Sequence, residues 1–141
     1  MTNFIHRTQI TVEWAHCDPV GMVHSQSVFT FFDTCTWQLF QAALGVPPEK
    51  LGATFAIMGF PLVGAGANFK APVRFGDRVD TESNIGEFRR SSFKVEHRLF
   101  VKGALAVEGH ETRVWVGRDA TKPSGMSALP IPPDVIARLS A

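Results

Sequence analysis

From His6 to Trp14 apolar and polar residues alternate, with Ile10, Val12 and Trp14 set against Gln9, Thr11 and Glu13. That two-residue period predicts a strand. The period is lost from Ala15 to Gln26, where Asp18-Pro19 and Gly21 predict a loop. From Ser27 to Leu44 the spacing changes to three and four. Val28, Phe31, Phe32, Cys35, Leu39, Ala42 and Ala43 fall on one helical face, and Phe29, Trp37 and Phe40 carry apolar surface further round the cylinder. A helix apolar over most of its circumference is expected to be buried, and Gly45 with Pro47-Pro48 is expected to end it.

The second half reads as strands. Pro61 to Val73 is apolar and interrupted by glycines, and Arg78 to Glu87 sets Val79, Thr81, Ser83 and Ile85 on one face. Phe93, Val95, His97, Leu99 and Val101 alternate with Lys94, Glu96, Arg98 and Phe100, and Lys102-Gly103 signals a two-residue hairpin into a strand from Ala104 to Val116. After Thr121 a proline-rich tail leads to a short helix over Asp134 to Leu139. One strand, one long helix and about four antiparallel strands make an α+β pattern, expected to form a single domain over residues 1–141. A helix so apolar asks for a sheet that curls around it, or for a second subunit.

Composition narrows the function. Hydrophobic residues make up 45% of the chain and charged ones 19%, which excludes intrinsic disorder and leaves a surface short of charge, as expected of an oligomer. The net charge of +1 lacks the basic excess of a general nucleic-acid binder. No signal-peptide pattern opens the sequence, and the uncharged stretch between Lys50 and Lys70 is broken by Gly52, Gly59, Pro61, Gly64 and Gly66, too often for a membrane span. Cys17 and Cys35 form no disulfide framework and no C-x-x-C. These readings point to a cytoplasmic protein with no membrane contact.

Three blocks carry a resemblance. The first is Glu13-Trp14-Ala15-His16-Cys17-Asp18-Pro19-Val20-Gly21-Met22-Val23; the second is Phe69-Lys70-Ala71-Pro72-Val73 with Gly76-Asp77; the third is Phe88-Arg89-Arg90-Ser91-Ser92-Phe93. In this order and spacing around the long helix they resemble the hotdog-fold thioesterases, and most of all the 4-hydroxybenzoyl-CoA thioesterase group, which places an Asp in the first block. The resemblance covers nearly the whole chain. It implies a hotdog fold, with a long central helix wrapped by an antiparallel sheet of about five strands. It also implies edge-to-edge dimers that often pair into tetramers, and an acyl-CoA substrate whose thioester is hydrolysed without metal or cofactor. A second thioesterase group of this fold uses a Glu on the central helix, but this helix offers only Asp33, so the loop-Asp group fits better. Two positions depart from the family pattern. Ser25-Gln26-Ser27-Val28 stands where many relatives carry an Asn and an aromatic residue, and Ser91 stands where a basic residue is expected.

Thioester cleavage needs a nucleophile or a base, plus donors for the developing oxyanion. Asp18, seven residues before Ser25 and close to the helix start, is the candidate carboxylate; alternatively, Asp-Pro only initiates a turn. By resemblance the backbone N–H near Ser25 is the oxyanion donor, and Gly59, Phe60 and Pro61 line the acyl pocket; His24, just before Ser25, is the candidate for a further substrate contact. Arg89 and Arg90 would ordinarily be solvated turn residues, but the resemblance implies that this edge meets the CoA phosphates, which guanidinium forks suit; Arg89, Arg90, Ser91 and Arg118 are therefore the candidate CoA contacts, and Lys122 extends that patch. Cys17 adjoins the Asp18 charge, which disfavours a thiolate, and reads with Cys35 as a small packed hydrophobe. The five histidines show no metal-ligand spacing, and His97 falls on an apolar strand face as a core residue. The leading function is hydrolysis of an aromatic acyl-CoA. Short or medium aliphatic acyl-CoA, or acyl carrier protein, is the alternative substrate, and a non-catalytic acyl-CoA-binding module is the alternative of another class.

Overall fold

The N-terminal alternation becomes β1 (His6–Thr11) in the computed structural model, which describes residues 4–141. The strand ends short of Trp14 because Trp14–His16 tightens into a 3-10 turn in which the Glu13 N–H donates to His16 Nδ1 (2.9 Å). Helix α1 (Ser25–Leu44) starts two residues earlier than the apolar spacing suggests, since His24 already holds the extended backbone of an N-cap. Gly45, in the left-handed region at φ 69°, closes it. Pro47-Pro48 does more than stop α1. Pro48 is the first residue of a second helix, α2 (Pro48–Phe55), because a proline at that position lacks only an N–H that would be unpaired anyway. The apolar pattern does not predict that helix.

β2 (Leu62–Phe69), β3 (Arg78–Phe88), β4 (Ser92–Val101) and β5 (Ala104–Val114) join β1 in one antiparallel sheet of order β1-β3-β4-β5-β2; β3 and β4 follow the hydrophobic alternation closely, whereas the glycine-rich β2 does not alternate and ends at Phe69, short of Val73. Lys102 and Gly103, at φ 50° and 80°, form the two-residue hairpin between β4 and β5. The last strand is not continuous to Val116. The buried Trp115 leaves the ladder: its N–H donates to the Ser91 carbonyl (2.7 Å) and its carbonyl accepts from Leu129 (2.9 Å). Beyond it β6 (Val116–Arg118) pairs with β7 (Met126–Ala128), and α3 (Pro133–Ser140) ends the fold.

The sheet curls around one side of α1. Val28, Phe31, Phe32, Cys35, Leu39, Phe40 and Leu44 are buried, whereas Thr30, Asp33, Thr34, Gln41 and Ala42 are exposed. The expected all-round burial therefore holds for the sheet-facing half of the helix only; hydroxyl, carboxyl and amide groups interrupt the apolar surface on the other half.

The core has two apolar parts. Val12, Val28, Phe31, Phe32, Val79, Leu99 and Val107 form one, and Leu39, Phe40, Phe60, Ile85, Phe93, Val95, Trp115, Val135 and Leu139 form the other. Between them lies a buried polar layer of Thr36, Ser83, His97, Glu111 and Arg113. Each element crosses it in step: β4 passes from Leu99 through His97 to Val95, and α1 from Phe32 through Thr36 to Leu39.

Helix and sheet meet most closely at Gly109. A Cβ there would stand 2.4 Å from the Phe32 ring and 2.6 Å from the Gly66 carbonyl oxygen. Gly109→Ala is therefore expected to destabilise the protein by roughly 1–3 kcal/mol in urea unfolding, the cost of overpacking. Gly86→Ala meets only the flexible Glu96 side chain and should cost less than about 1 kcal/mol.

Candidate active site

The Asp18 loop is a short hairpin built from its own sequence. Asp18 opens a turn with Pro19 second and Gly21 fourth, and the Gly21 N–H donates to the Asp18 carbonyl (3.0 Å). Asp18 Oδ1 accepts from the Val20 and Met22 N–H groups, each at 3.0 Å. The two arms pair through Asp18 N–H to the Met22 carbonyl (2.8 Å) and His24 N–H to the His16 carbonyl (2.8 Å). Val23 N–H to Val73 (2.9 Å) and Phe75 N–H to Gly21 (2.9 Å) fix the hairpin to the chain entering β3. The turn reading of Asp18 is thus correct for one carboxylate oxygen. Oδ2 has no partner among the described residues, and the side chain is half-buried.

The hairpin runs directly into α1. His24, half-buried, is the N-cap, and its side chain makes no capping bond. Ser27 and Val28 donate to the His24 carbonyl at 3.1 and 3.3 Å, while the N–H groups of Ser25 and Gln26 have no acceptor among the described residues. Two free N–H groups at the positive end of a 20-residue helix form a receptor for negative oxygen. Cys17 sits beside this carboxylate; desolvation and then the Asp18 and Asp77 charges push its thiol pKa up, away from thiolate chemistry.

An open cleft of about 520 Å³ runs from Gln26, in the first turn of α1, along the exposed helix face to Asp33. Phe29 and Thr30 complete that wall, and Leu62 and Ala65 of β2 form the other. Its floor is charged. Arg113 Nη2 donates to Asp33 Oδ1 (2.7 Å) and to Glu111 Oε2 (2.7 Å), and Nη1 donates to the Phe60 carbonyl (3.2 Å). Glu111 also accepts from the Thr36 hydroxyl and from His97 Nε2 (3.1 Å), while Ser83 Oγ lies 2.7 Å from His97 Nδ1. The geometry suits the tautomer in which Nε2–H donates and the Ser83 hydroxyl donates to Nδ1. Burial by itself would raise the Glu111 pKa, but hydrogen bonds from His97, Arg113 and Thr36 outweigh it and hold the carboxyl at about 2. Burial lowers the His97 pKa, with the Glu111 contact opposing and the Arg113 and Arg98 charges assisting.

The remaining sequence candidates are dispersed. The Phe60 ring is buried in the aromatic core against Phe40, Trp37 and Phe93, so this residue meets the cleft floor through its carbonyl; Gly59 is half-buried and Pro61 exposed. Arg89 and Arg90 are exposed on the β3–β4 turn, with Arg89 Nε 3.1 Å from Glu87. Ser91 is half-buried and Arg118 exposed on β6, beyond Trp115. Sequence reading missed the Asp33–Arg113–Glu111 group. The available signal was parity, since Glu111 and Arg113 occupy the inward positions of β5 that Val107 and Trp115 continue on either side.

Thioester hydrolysis asks for a nucleophile or a base and for oxyanion donors; the Asp18 carboxylate in the hairpin turn and the N–H groups where its far arm enters α1 are groups of those two types, and the fold is that of a hotdog thioester hydrolase. The chain belongs to the thioesterase-like superfamily, whose family profile matches residues 12–139. It is 28% identical over 134 residues to the 4-hydroxybenzoyl-CoA thioesterase of Pseudomonas sp. (strain CBS-3), covering 91% of this chain and 92% of that one. The solved structure of that enzyme superposes with a TM-score of 0.83 at 26% identity, covering 95% and 98% of the two chains. An Asp-to-Asn mutant of a 4-hydroxybenzoyl CoA thioesterase, complexed with 4-hydroxybenzoyl CoA, gives a TM-score of 0.85 at 26% identity over 97% and 99%. A gentisyl-coenzyme A thioesterase gives 0.80 at 27% identity over 96% and 100%.

The polar layer predicts a two-step acid response. His97 has its pKa lowered from 6.5, so below about pH 6.5 the unfolded chain binds the proton more readily and stability falls. Glu111 sits at about 2 against 4.5, so a second loss starts below about pH 4.5 and runs to about pH 2, on the order of 3 kcal/mol in all. Thermal melts from pH 8 to pH 3 should be flat above pH 7 and fall in these two windows. Glu111→Gln should melt lower throughout and show a smaller second fall, the part left being that of Glu82 and Asp119, whose pKa values are also lowered.

Proposed function

We propose that this protein hydrolyses the thioester of an aromatic acyl-CoA, with Asp18 as the catalytic carboxylate. The observation that carries the reading is the free Oδ2 of Asp18 on a hairpin whose far arm becomes the N-terminus of α1, where the Ser25 and Gln26 N–H groups are unpaired. Those N–H groups take the charge that develops on the thioester oxygen, with Ser25 as the leading donor. Asp18 attacks the carbonyl carbon or removes a proton from the water that does; either route ends in a free acid and CoA. These groups suffice without metal or cofactor. An Asp-to-Asn relative complexed with 4-hydroxybenzoyl CoA supports both the residue type and the substrate class. Phe29 in the cleft supports an aromatic acyl group; His24, the helix cap, lies outside the cleft lining and is kept as a separate substrate contact.

The CoA phosphates, in this reading, meet Arg89, Arg90, Ser91 and Arg118. Within one chain these residues are remote from Asp18. β3 starts at Arg78, beside the Asp18 hairpin, and ends at Phe88, beside Arg89, roughly 33 Å away at about 3.3 Å per residue. A second copy resolves this. β2 is an edge strand with Leu62, Val63 and Phe69 exposed; its Phe69 end lies toward the Asp18 hairpin and its Leu62 end toward the Arg89 turn. Two β2 edges paired antiparallel about a two-fold axis bring Asp18 of each copy to the arginine end of the other. We therefore propose a homodimer as the least functional unit, with a tetramer as a pair of such dimers. No helix among the described residues is long and apolar enough to cross a membrane, and the reduced thiols of Cys17 and Cys35 suit the cytoplasm.

Asp18→Asn keeps the size of the side chain and its turn acceptor, so the protein should fold by circular dichroism and still bind acyl-CoA. Its kcat should fall by at least ~10²-fold. Near-normal turnover on every ester the wild type hydrolyses would remove the assignment, and a wild type that binds these esters but hydrolyses none would favour a binding module. Cys17→Ala should stay close to wild type. Replacing Arg89 and Arg90 together by Ala should raise KM, by up to ~10-fold for exposed charge-assisted contacts, with kcat little changed. An unmoved KM would mean that the two arginines are only a solvated turn.

A further inference from the structure

The buried charge at the cleft floor is unused by the chemistry above, yet it ties α1, the segment before β2 and strand β5 together through one side chain. Arg113 is 6% exposed, and its guanidinium reaches Asp33 on α1 (2.7 Å), the Phe60 carbonyl (3.2 Å) and Glu111 on its own strand (2.7 Å). It also lies over the Phe60 ring, 5.7 Å from the centroid. The two walls of the cleft begin at these contacts: Asp33 closes the helical wall, and Phe60 leads through Pro61 into Leu62 of the β2 wall. Glu111 in turn cannot move, being held by Thr36 and by His97, which is stacked on Phe32 with ring centroids 4.6 Å apart.

We infer that Arg113, locked by Glu111, is a positioning residue that sets the spacing between the α1 and β2 walls of the acyl cleft. The inference rests on the reading of that cleft as the acyl site. A planar fork with donors aimed at three separate acceptors holds their mutual distances in a way that a lysine, with one flexible ammonium, does not. The nucleotide half of the substrate is bound elsewhere in this account, at the β3–β4 turn. A change at Arg113 should therefore be felt by the acyl group and not by CoA, whereas loss of folded protein would affect both alike.

The experiment compares wild type, Arg113→Lys, Arg113→Met and Arg113→Met/Glu111→Gln. The double variant is included because Arg113→Met strands the Glu111 charge and can fail to fold. Each is assayed with benzoyl-CoA, 4-hydroxybenzoyl-CoA and acetyl-CoA, and with free CoA as competitive inhibitor. Arg113→Met or the double variant should raise KM for the two aromatic esters by about tenfold, change kcat less than about threefold, and leave the CoA inhibition constant within about twofold. Arg113→Lys should recover part of the loss. An aromatic KM equal to wild type, or a CoA inhibition constant that rises in parallel with it, would overturn the inference. A wild type inactive on all three esters is a different result: it overturns the functional reading, and the cleft loses its acyl role with it.

Discussion

The Glu111–Arg113 ion pair is the constraint from which the arrangement of this protein follows. Removing two charges from water costs several kcal/mol per ion, and their attraction offsets that only if the remaining donors and acceptors are also satisfied. Here they are: Thr36 and His97 complete the set around Glu111, with Ser83 satisfying the far ring nitrogen of His97, while Asp33 and the Phe60 carbonyl complete it around Arg113. Such a pair adds little net stability over an apolar replacement, but stranding one member costs about 3–5 kcal/mol. Its effect is on register. Sliding α1 by one turn would leave Glu111 without Thr36 and Arg113 without Asp33, whereas the apolar layers on either side could repack.

That fixed register decides where the helix N-terminus lies. The hairpin bearing Asp18 is pinned to Val73 and Phe75 on the sheet side and continues into α1 on the other, so helix position and carboxylate position are set together. The edge-to-face contact of His16 with Phe31, at 4.8 Å, adds a packing link between hairpin and helix. The exposed charges at the far end of β3 and β4 have no such constraint, and in one chain the sheet length separates them from Asp18. In the proposed dimer, symmetry across the β2 edge would bring the two ends together in one site.

How far the sequence reveals this depends on which force sets each element. Strands with one face in a core show it by alternation, which is why Val79, Thr81, Ser83 and Ile85, and then Phe93 to Leu99, were legible residue by residue. The Asp18 turn was equally plain, because Asp-Pro-x-Gly restricts the backbone locally. The short α2 escaped because a proline pair reads as a stop unless the next segment is already known to be helical. The Asp33–Arg113–Glu111 group escaped for a different reason. Its members lie 80 and 2 residues apart, and nothing local in a sequence says that three charges share one buried point. Resemblance to the hotdog thioesterases named the chemistry at Asp18, but the distance of Arg89 from it follows from the strand pairing.

In the proposed dimer each active site takes its carboxylate from one copy and its CoA-binding arginines from another. Co-expression of Asp18→Asn with Arg89→Ala/Arg90→Ala, assayed below KM, tests it directly. In a mixed dimer one site carries both changes and the other carries neither, so random pairing should return about a quarter of wild-type activity or more, well above the average of the two variants assayed separately. Activity no greater than the average of the two separate variants, in a population shown by mass spectrometry to contain mixed oligomers, would contradict the shared site.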